Sequence, residues 1–325
     1  MANDKNGEYA KIPIEDFVSG ATINVDVFIQ LSDLKYVKVL NSGESFDIGR
    51  INKYAAKQVT HLYVRSKDYP EYLKRGLTIA GIIVGNEDLP FRTRSVTLTK
   101  VAANVFTEID NFGMNSDSYG HSKVIAEAAM TLCQAHRGFR EVMDQLVQIP
   151  GEQYGHGVAV SVIAVMIGAE LGWKGVVLEK LALGGLLHDI GKKELSPDLL
   201  KKNRAFMTDA EVASYESHPT RGMHILRAIP DVPDDVIAIA YEHHENAFGQ
   251  GFPRKVKLVF TNPLARVVSL ADEFCRLTIK SLDTSVVRIP TDALIHIQKV
   301  MRQPFWPDAF KALENLINNG PSKRS

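Results

Sequence analysis

GVVLEKLALGGLLHDIGKKE, residues 175–194, is the stretch of this chain that decides its fold. Its first half is almost entirely apolar, which favours a buried helix, and the apolar run ends in the adjacent pair His188 and Asp189. A second adjacent pair, His243 and His244, follows further along the chain. Imidazole and carboxylate groups at helix ends can point into one pocket and ligate a hard or borderline cation. The sequence therefore predicts a metal site.

Three further residues strengthen that prediction. His156 and His218 lie at the boundaries of segments that are also predicted to be helices. Asp272, in the segment VVSLADEF, places a carboxylate on a strongly apolar helix face. A buried carboxylate without a partner is costly, so this position requires a cation or a hydrogen-bond donor.

Composition excludes several classes of protein. The 325 residues carry 38 basic and 38 acidic side chains, a formal net charge of zero. This balance argues against DNA binding through bulk positive charge, but a small anionic ligand needs only a few local cations. The longest apolar stretch, residues 158–173, is shorter than the roughly 20 residues that span a bilayer, so we expect no membrane segment.

The compartment is predicted from the cysteines and the first residues. Cys133 and Cys275 are the two cysteines, and neither has a partner at zinc-ligand spacing. The first residues, MANDKNGEYAKIP, are polar and do not resemble a secretory signal. We therefore expect reduced thiols and a cytoplasmic location.

Residues 1–95 are predicted to form a small α+β domain. Between residues 10 and 66, short β-rich runs alternate with turn signals, and one run with helical spacing lies at residues 47–59. A helix is expected over residues 68–84, and the charged, proline-containing segment NEDLPFRTRS, residues 86–95, is expected to be a linker. A regulatory or partner-binding role for this domain is a hypothesis.

The rest of the chain is predicted to be helical, so the protein is mainly α. Residues 96–149 are expected to form connecting helices with an interruption near residues 111–120, and to expose His121 and His136. Residues 150–325 carry one helical segment after another with short connections, which indicates a compact bundle that encloses its polar site.

Four motifs follow one another in the helical part: HDIGK at 188–192, SHPTRGMHIL at 217–226, HHENAFGQGFP at 243–253 and PLARVVSLAD at 263–272. In their order and spacing they resemble the HD-GYP family of the HD phosphohydrolase superfamily, whose members hydrolyse cyclic di-GMP. The resemblance covers approximately residues 150–325 and implies an HD-type helical bundle there.

The resemblance also implies two divalent metal ions, with Asp189 bridging them. Iron is the usual metal of the family, and imidazole and carboxylate ligands without thiolate are compatible with manganese or zinc as well. Glu152 stands where some members bind a third ion, although an exposed loop carboxylate is an equal alternative. The implied ligands are His156, His188, Asp189, His218, His243, His244 and Asp272.

Catalytic and substrate-binding roles follow from the same resemblance. Asp189 and Lys192 are the implied catalytic residues, with Lys192 beside a substrate phosphate rather than solvated next to Lys193. Gly251 allows close backbone approach to a ligand, and Phe252 can stack on a base. Arg266 matches a family arginine, and a structural ion pair explains it about as well.

This chain departs from the family in the loop after the paired histidines. Phe248 and Phe252 stand where the family has Asp and Tyr, so GYP has become GFP. Phe252 cannot donate the hydrogen bond of a phenol, a loss that typically costs about 1–3 kcal/mol in a desolvated site.

Two hypotheses follow. The chain is a cyclic di-GMP phosphodiesterase with weakened activity, or a degenerate module that keeps its metals and binds nucleotide or protein partners such as GGDEF-domain proteins. An HD hydrolase acting on another nucleotide is a third, less favoured hypothesis.

Overall fold

The structure is a computed structural model that describes residues 8–319, except for 15–16, 18–21, 33–34, 46, 136–137, 147–153, 281–285 and 302–304. Its first part is a small antiparallel sheet and its second part is helical. The predicted class, mainly α with a small N-terminal α+β region, is confirmed. The domain boundaries stay a prediction.

The sheet contains four strands in the order β1-β4-β2-β3. Side chains alternate between its faces as period-two strands require: Ala10 and Ile12 of β1 are buried, as are Leu62 and Val64 of the adjacent strand β4. All four strands were expected from the β-rich runs. The strands are β1 (Tyr9–Pro13), β2 (Val27–Ser32), β3 (Lys35–Leu40) and β4 (His61–Arg65).

Helices follow one another with short connections through the rest of the described chain. Single 3-10 turns, such as the one at Ile190–Glu194, lie between some of them. The α-helices are α1 (Ile48–Ala55), α2 (Tyr69–Gly85), α3 (Phe91–Phe112), α4 (Ser116–Ala135), α5 (Phe139–Leu146), α6 (Tyr154–Glu170), α7 (Val176–Leu187), α8 (Pro197–Leu200), α9 (Asp209–Tyr215), α10 (His218–Arg227), α11 (Asp234–Glu242), α12 (Pro263–Thr278), α13 (Pro290–Ile295) and α14 (Pro307–Asn319).

The linker predicted over residues 86–95 is wrong for its second half. Helix α3 already begins at Phe91, directly after its N-cap residue Pro90, where the missing backbone N–H of proline removes no helical hydrogen bond. Arg94 is not a solvated linker charge, because it is buried and its Nε donates to the Val84 carbonyl oxygen at 2.7 Å, near the end of α2. The guanidinium thus satisfies a helix-terminal carbonyl and joins the two helices.

His121 also differs from its prediction. Its Nδ1 lies 2.8 Å from Oε2 of Glu108, a buried carboxylate on α3, and only 24% of the His121 side chain is exposed. Glu108 lies on α3 and His121 on α4, so their contact is between two helices. Residue spacing within one helix could not have predicted it. His136 lies outside the described residues.

The helices α6 and α7 form the centre of the helical part. Ala159, Val160 and Ile163 of α6 and Leu181 and Leu187 of α7 are each fully buried or nearly so. Helix α6 also packs against α12, and α7 against α11. Every residue from Leu181 to Leu187 of α7 is buried, whichever face of the helix it lies on, which explains why the amphipathic pattern is weak in this segment.

Among the described residues, no helix combines the length and the apolar character that crossing a membrane would require.

The turn Ile190–Glu194 packs very closely against α10, and Gly191 is the point of contact. A Cβ atom at position 191 would clash with the carbonyl oxygen of His218 and lie 2.5 Å from the backbone nitrogen of Gly222. Only a glycine lets the two backbones approach to this distance.

We therefore expect Gly191→Ala to lower the free energy of unfolding by about 1–3 kcal/mol or more, the usual cost of overpacking. Urea titration followed by circular dichroism measures it. Gly81→Ala is the matched control, since nothing lies within 4 Å of a Cβ there and alanine gains about 0.5–1 kcal/mol in a helix. Equal effects of the two substitutions would contradict the close approach.

Candidate metal centre

The seven residues predicted as metal ligands lie at one end of the α6–α7 pair. His156 belongs to the first turn of α6, and His188 follows the last residue of α7. His218 opens α10, and His243 follows the last residue of α11. Three positions remain: Asp189 and His244 directly follow His188 and His243, and Asp272 lies in the interior of α12. Glu152 lies outside the described residues.

Asp189 is the centre of the arrangement. Its Oδ1 lies 3.2 Å from Nε2 of His218 and 3.7 Å from Nε2 of His243. Its Oδ2 lies 3.3 Å from Nε2 of His188. The other carboxylate, Asp272, has its Oδ1 2.9 Å from Nε2 of His156.

Two groups of side chains could each hold a metal ion, and Asp189 belongs to both. One contains Asp189, His218, His243 and His244, and the other contains His156, His188 and Asp189. Within each group the candidate ligand atoms all lie within 4.8 Å of one another. A carboxylate with two oxygens is suited to bridging two neighbouring cations.

Backbone hydrogen bonds fix the orientation of three imidazole rings. The Nδ1 atoms of His188, His218 and His243 lie 2.8, 2.7 and 3.0 Å from the carbonyl oxygens of Gly185, Tyr215 and Ala240. Since a carbonyl oxygen can only accept, Nδ1 carries a hydrogen, and in the neutral imidazole Nε2 then presents its lone pair. Metal-ligating histidines commonly use their second nitrogen in this way.

Five of the candidate ligand atoms are buried without a hydrogen-bond partner among the described residues. They are Nε2 of His188, His218, His243 and His244 and Oδ1 of Asp189. Buried polar atoms are normally satisfied, so five acceptors facing one another require an explanation. The donor set of imidazole nitrogens and carboxylate oxygens fits a divalent cation.

Protonation agrees with this donor set at most positions. Burial lowers the pKa of His218 to about 4, and burial together with His243 and His218 holds the pKa of His244 well below its ordinary value. Burial raises the pKa of Asp189, but Lys192 and His188 outweigh it and hold that pKa well below the ordinary value. Neutral imidazole and ionised carboxylate are the forms that bind metal.

Lys192 lies against the bridging carboxylate. Its Nζ donates to Oδ2 of Asp189 at 2.5 Å and lies 5.5 Å from the centre of the Tyr215 ring. Burial of the ammonium lowers its pKa, but Asp189 outweighs this effect and raises the pKa above its ordinary value. Asp189 therefore favours the positively charged form of Lys192 at the candidate metal centre.

Glu245 has a role that sequence reasoning missed. It is buried, and its carboxylate accepts hydrogen bonds from the backbone nitrogens of Arg254 at 2.6 Å and Val256 at 2.9 Å. It therefore closes the loop after the paired histidines. In the sequence, Glu245 directly follows two candidate metal ligands. Nothing there shows whether its carboxylate binds metal or holds the loop.

Gly251 and Phe252 lie close to the ligands in this loop. A Cβ atom at Gly251 would lie 2.7 Å from Cα of Glu245, so the loop backbone passes directly over the histidine pair. The Phe252 ring centre lies 4.5 Å from that of His244. Phe248, by contrast, is 55% exposed. The position of Phe252, but not of Phe248, bears directly on the site.

A cavity of about 240 Å³ opens beside the ligands. Arg266 is not among the described residues that line it. One guanidinium nitrogen of Arg266 donates to the carbonyl oxygens of Val259 and Thr261 at 2.8 and 2.7 Å. The substrate contact predicted for Arg266 stays a prediction. The lining residues are Arg204, Glu216, His243, His244, Asn246, Gln250, Gly251, Phe252, Ser269, Asp272, Glu273, Arg276 and Phe305.

Residues 123–306 match the HD domain family, so the chain belongs to that family of proteins. This range contains every candidate ligand described above. The resemblance read from the motifs is thereby confirmed at the level of the HD domain.

Two curated phosphodiesterases are similar to part of this chain. A cyclic di-GMP phosphodiesterase of Pseudomonas aeruginosa is 30% identical over 125 residues, which is 38% of this chain and 30% of that protein. The 3'3'-cGAMP-specific phosphodiesterase 3 of Vibrio cholerae is 28% identical over 170 residues, 52% of this chain and 36% of that protein. The match thus spans about a third of the length of each curated relative.

One solved structure shares the fold along nearly the whole chain. Bd1817, a HDG"Y"P protein from Bdellovibrio bacteriovorus, superposes with a TM-score of 0.70 at 21% sequence identity. The superposition covers 95% of this chain and 99% of that one. The likeness therefore includes the N-terminal sheet as well as the helical part.

Removing one candidate ligand should remove metal. His243→Ala is expected to weaken metal affinity at least about tenfold, the lower limit seen when even an outer partner of a metal ligand is lost. The metal content of the purified protein, determined by inductively coupled plasma mass spectrometry, measures the change. His121→Ala is the control, because His121 bonds to Glu108 and belongs to neither ligand group. Unchanged metal content in His243→Ala would contradict the assignment.

Proposed function

We propose that this chain is a metal-dependent phosphodiesterase that hydrolyses cyclic di-GMP or a related cyclic dinucleotide. The observation that carries the proposal is the set of buried, donor-less ligand atoms around Asp189. Membership of the HD domain family and the named activities of the partial relatives support it.

The proposed cage comprises two divalent ions. His156, His188, Asp189, His218, His243, His244 and Asp272 would hold them, with Asp189 shared. When bound, two such ions activate water and neutralise charge on a phosphodiester. Iron is the metal that the motif resemblance favours, and the same donor atoms suit manganese or zinc.

Lys192 is proposed to bind the substrate phosphate. Its ammonium is anchored on Asp189 and so stands at a fixed place beside the cage. A preorganised positive charge in a partly dry site stabilises negative charge that develops during phosphodiester cleavage. Asp189 has two roles in this proposal, since it ligates the metals and orients Lys192.

The alternative is a module that binds metal and nucleotide or a GGDEF-domain partner without efficient catalysis. Phe252 favours this second candidate, because its ring lies against His244 and offers no hydroxyl to a substrate. The N-terminal sheet remains a candidate for regulation or partner binding in either case.

Hydrolysis of cyclic di-GMP tests the leading proposal. We expect the metal-loaded chain to convert cyclic di-GMP to a linear product, and Lys192→Met to lower kcat/KM by about 100-fold or more, as for other preorganised charge-stabilising donors. Liquid chromatography of the products measures both. The matched control is Lys193→Met, because Lys193 pairs with Asp110 on α3. No turnover by the metal-loaded wild type would refute the proposal.

Phe252→Tyr separates the two candidates. If the chain is an enzyme weakened by the missing phenol, the added hydroxyl should raise kcat/KM by about 5- to 150-fold, the equivalent of one hydrogen bond in a desolvated site. Phe248→Asp is the control, and we expect little effect from it because Phe248 is 55% exposed. Turnover that stays unmeasurable in Phe252→Tyr favours the binding module.

A further inference from the structure

Arg204 has no role in the motifs, yet it lines the cavity together with His243 and His244. Its guanidinium carbon lies 5.4 Å from the centre of the Phe252 ring and 5.7 Å from the centre of the Tyr215 ring. A guanidinium group and an aromatic face therefore meet at one wall of the cavity.

Glu216 completes this wall. Its Oε1 pairs with Nη2 of Arg204, and Glu216 lines the same cavity. The Arg204 side chain is 50% exposed and that of Glu216 is 29% exposed. Water screens an ion pair of this kind, so its bonds can be exchanged for bonds to a ligand at little cost.

The backbone beneath Arg204 is held by its neighbours. The Asn203 side chain accepts a hydrogen bond from the backbone nitrogen of Ala205 at 2.9 Å. On the preceding residue, Nζ of Lys202 bonds to Glu211 at 2.7 Å, and Glu211 forms a capping box with Thr208 at the start of α9. A segment fixed before binding loses little conformational entropy when a ligand arrives.

The chemistry of the wall matches one nucleobase. Guanine presents two acceptors, N7 and O6, that fit the two parallel donors of a guanidinium group. Its Watson–Crick edge carries N–H donors, which a carboxylate accepts. Adenine places an amino donor where guanine has O6, so it would face the donors of Arg204 unfavourably. The Phe252 ring packs under the guanidinium group and holds it at the cavity wall.

We infer that Arg204, Glu216 and Phe252 form a subsite for a guanine base, with Arg204 as the residue that selects guanine over adenine. This inference rests on the proposed function, because it specifies the base that the same site accepts. It makes the site selective for guanine-containing cyclic dinucleotides.

Binding of two matched nucleotides tests the subsite. The full chain, loaded with manganese, is titrated calorimetrically with the bis-phosphorothioate analogues of cyclic di-GMP and cyclic di-AMP. Arg204→Lys keeps the positive charge but loses the two-pronged donor. We expect it to weaken binding of the guanine analogue about tenfold or more and to leave the adenine analogue unchanged.

Arg221→Lys is the matched control. Arg221 also forms a partly exposed ion pair, with Glu194 at 3.1 Å, and it is not among the described residues that line the cavity. Its substitution is expected to leave the affinity for both analogues unchanged.

The subsite is overturned if Arg204→Lys weakens both analogues equally, which indicates a phosphate contact, or weakens neither. A wild type that does not prefer the guanine analogue also overturns it. If Arg204→Lys does not fold, as judged by circular dichroism, Glu216→Gln decides: reduced guanine preference supports the subsite and unchanged preference overturns it. Guanine-selective binding without hydrolysis would support the subsite and contradict the proposed phosphodiesterase activity. Hydrolysis without a preference between the bases would support the activity and overturn the subsite.

Discussion

The central constraint on the helical part is that several buried imidazole nitrogens and carboxylate oxygens lie close together around Asp189. Each of His188, His218 and His243 uses Nδ1 on a carbonyl oxygen of its own preceding turn, and this leaves Nε2 directed at the shared carboxylate. Burying imidazole nitrogens and carboxylate oxygens together removes their hydration, which costs free energy. The packing of the surrounding helices must offset this cost.

The packing of the helical part meets that requirement. The candidate ligands come from the ends of four helices and from α12. A small shift of any of these helices would therefore move a ligand atom away from the others. The apolar surfaces of α6 and α7 allow little such movement, because interiors packed to crystal density do not deform continuously. Gly191 extends the same constraint to α10, since it lets the turn that follows Asp189 touch the backbone of His218.

The sequence predicted the parts of this structure that depend on local pattern. Short β-rich runs bounded by turn signals predicted the four strands, and the adjacent pairs His188-Asp189 and His243-His244 predicted a metal site. What it missed depends on contacts between distant segments. Arg94 looked like part of a linker although it is buried against the end of α2, and His121 looked exposed although Glu108 on another helix holds it. Charged residues give the same sequence signal whether water or a buried partner satisfies them.

The loop after the histidine pair is held in place by contacts that do not involve the side chain at position 252. Glu245 fixes the loop through two backbone nitrogens, and neither bond involves the side chain at position 252. A phenylalanine there offers no hydroxyl to the cavity and affects neither of those two bonds. Arg204 lies over the same ring and supplies donors to that wall in another place. The Phe252 ring also packs against His244, so position 252 connects the cavity wall to one of the proposed metal ligands.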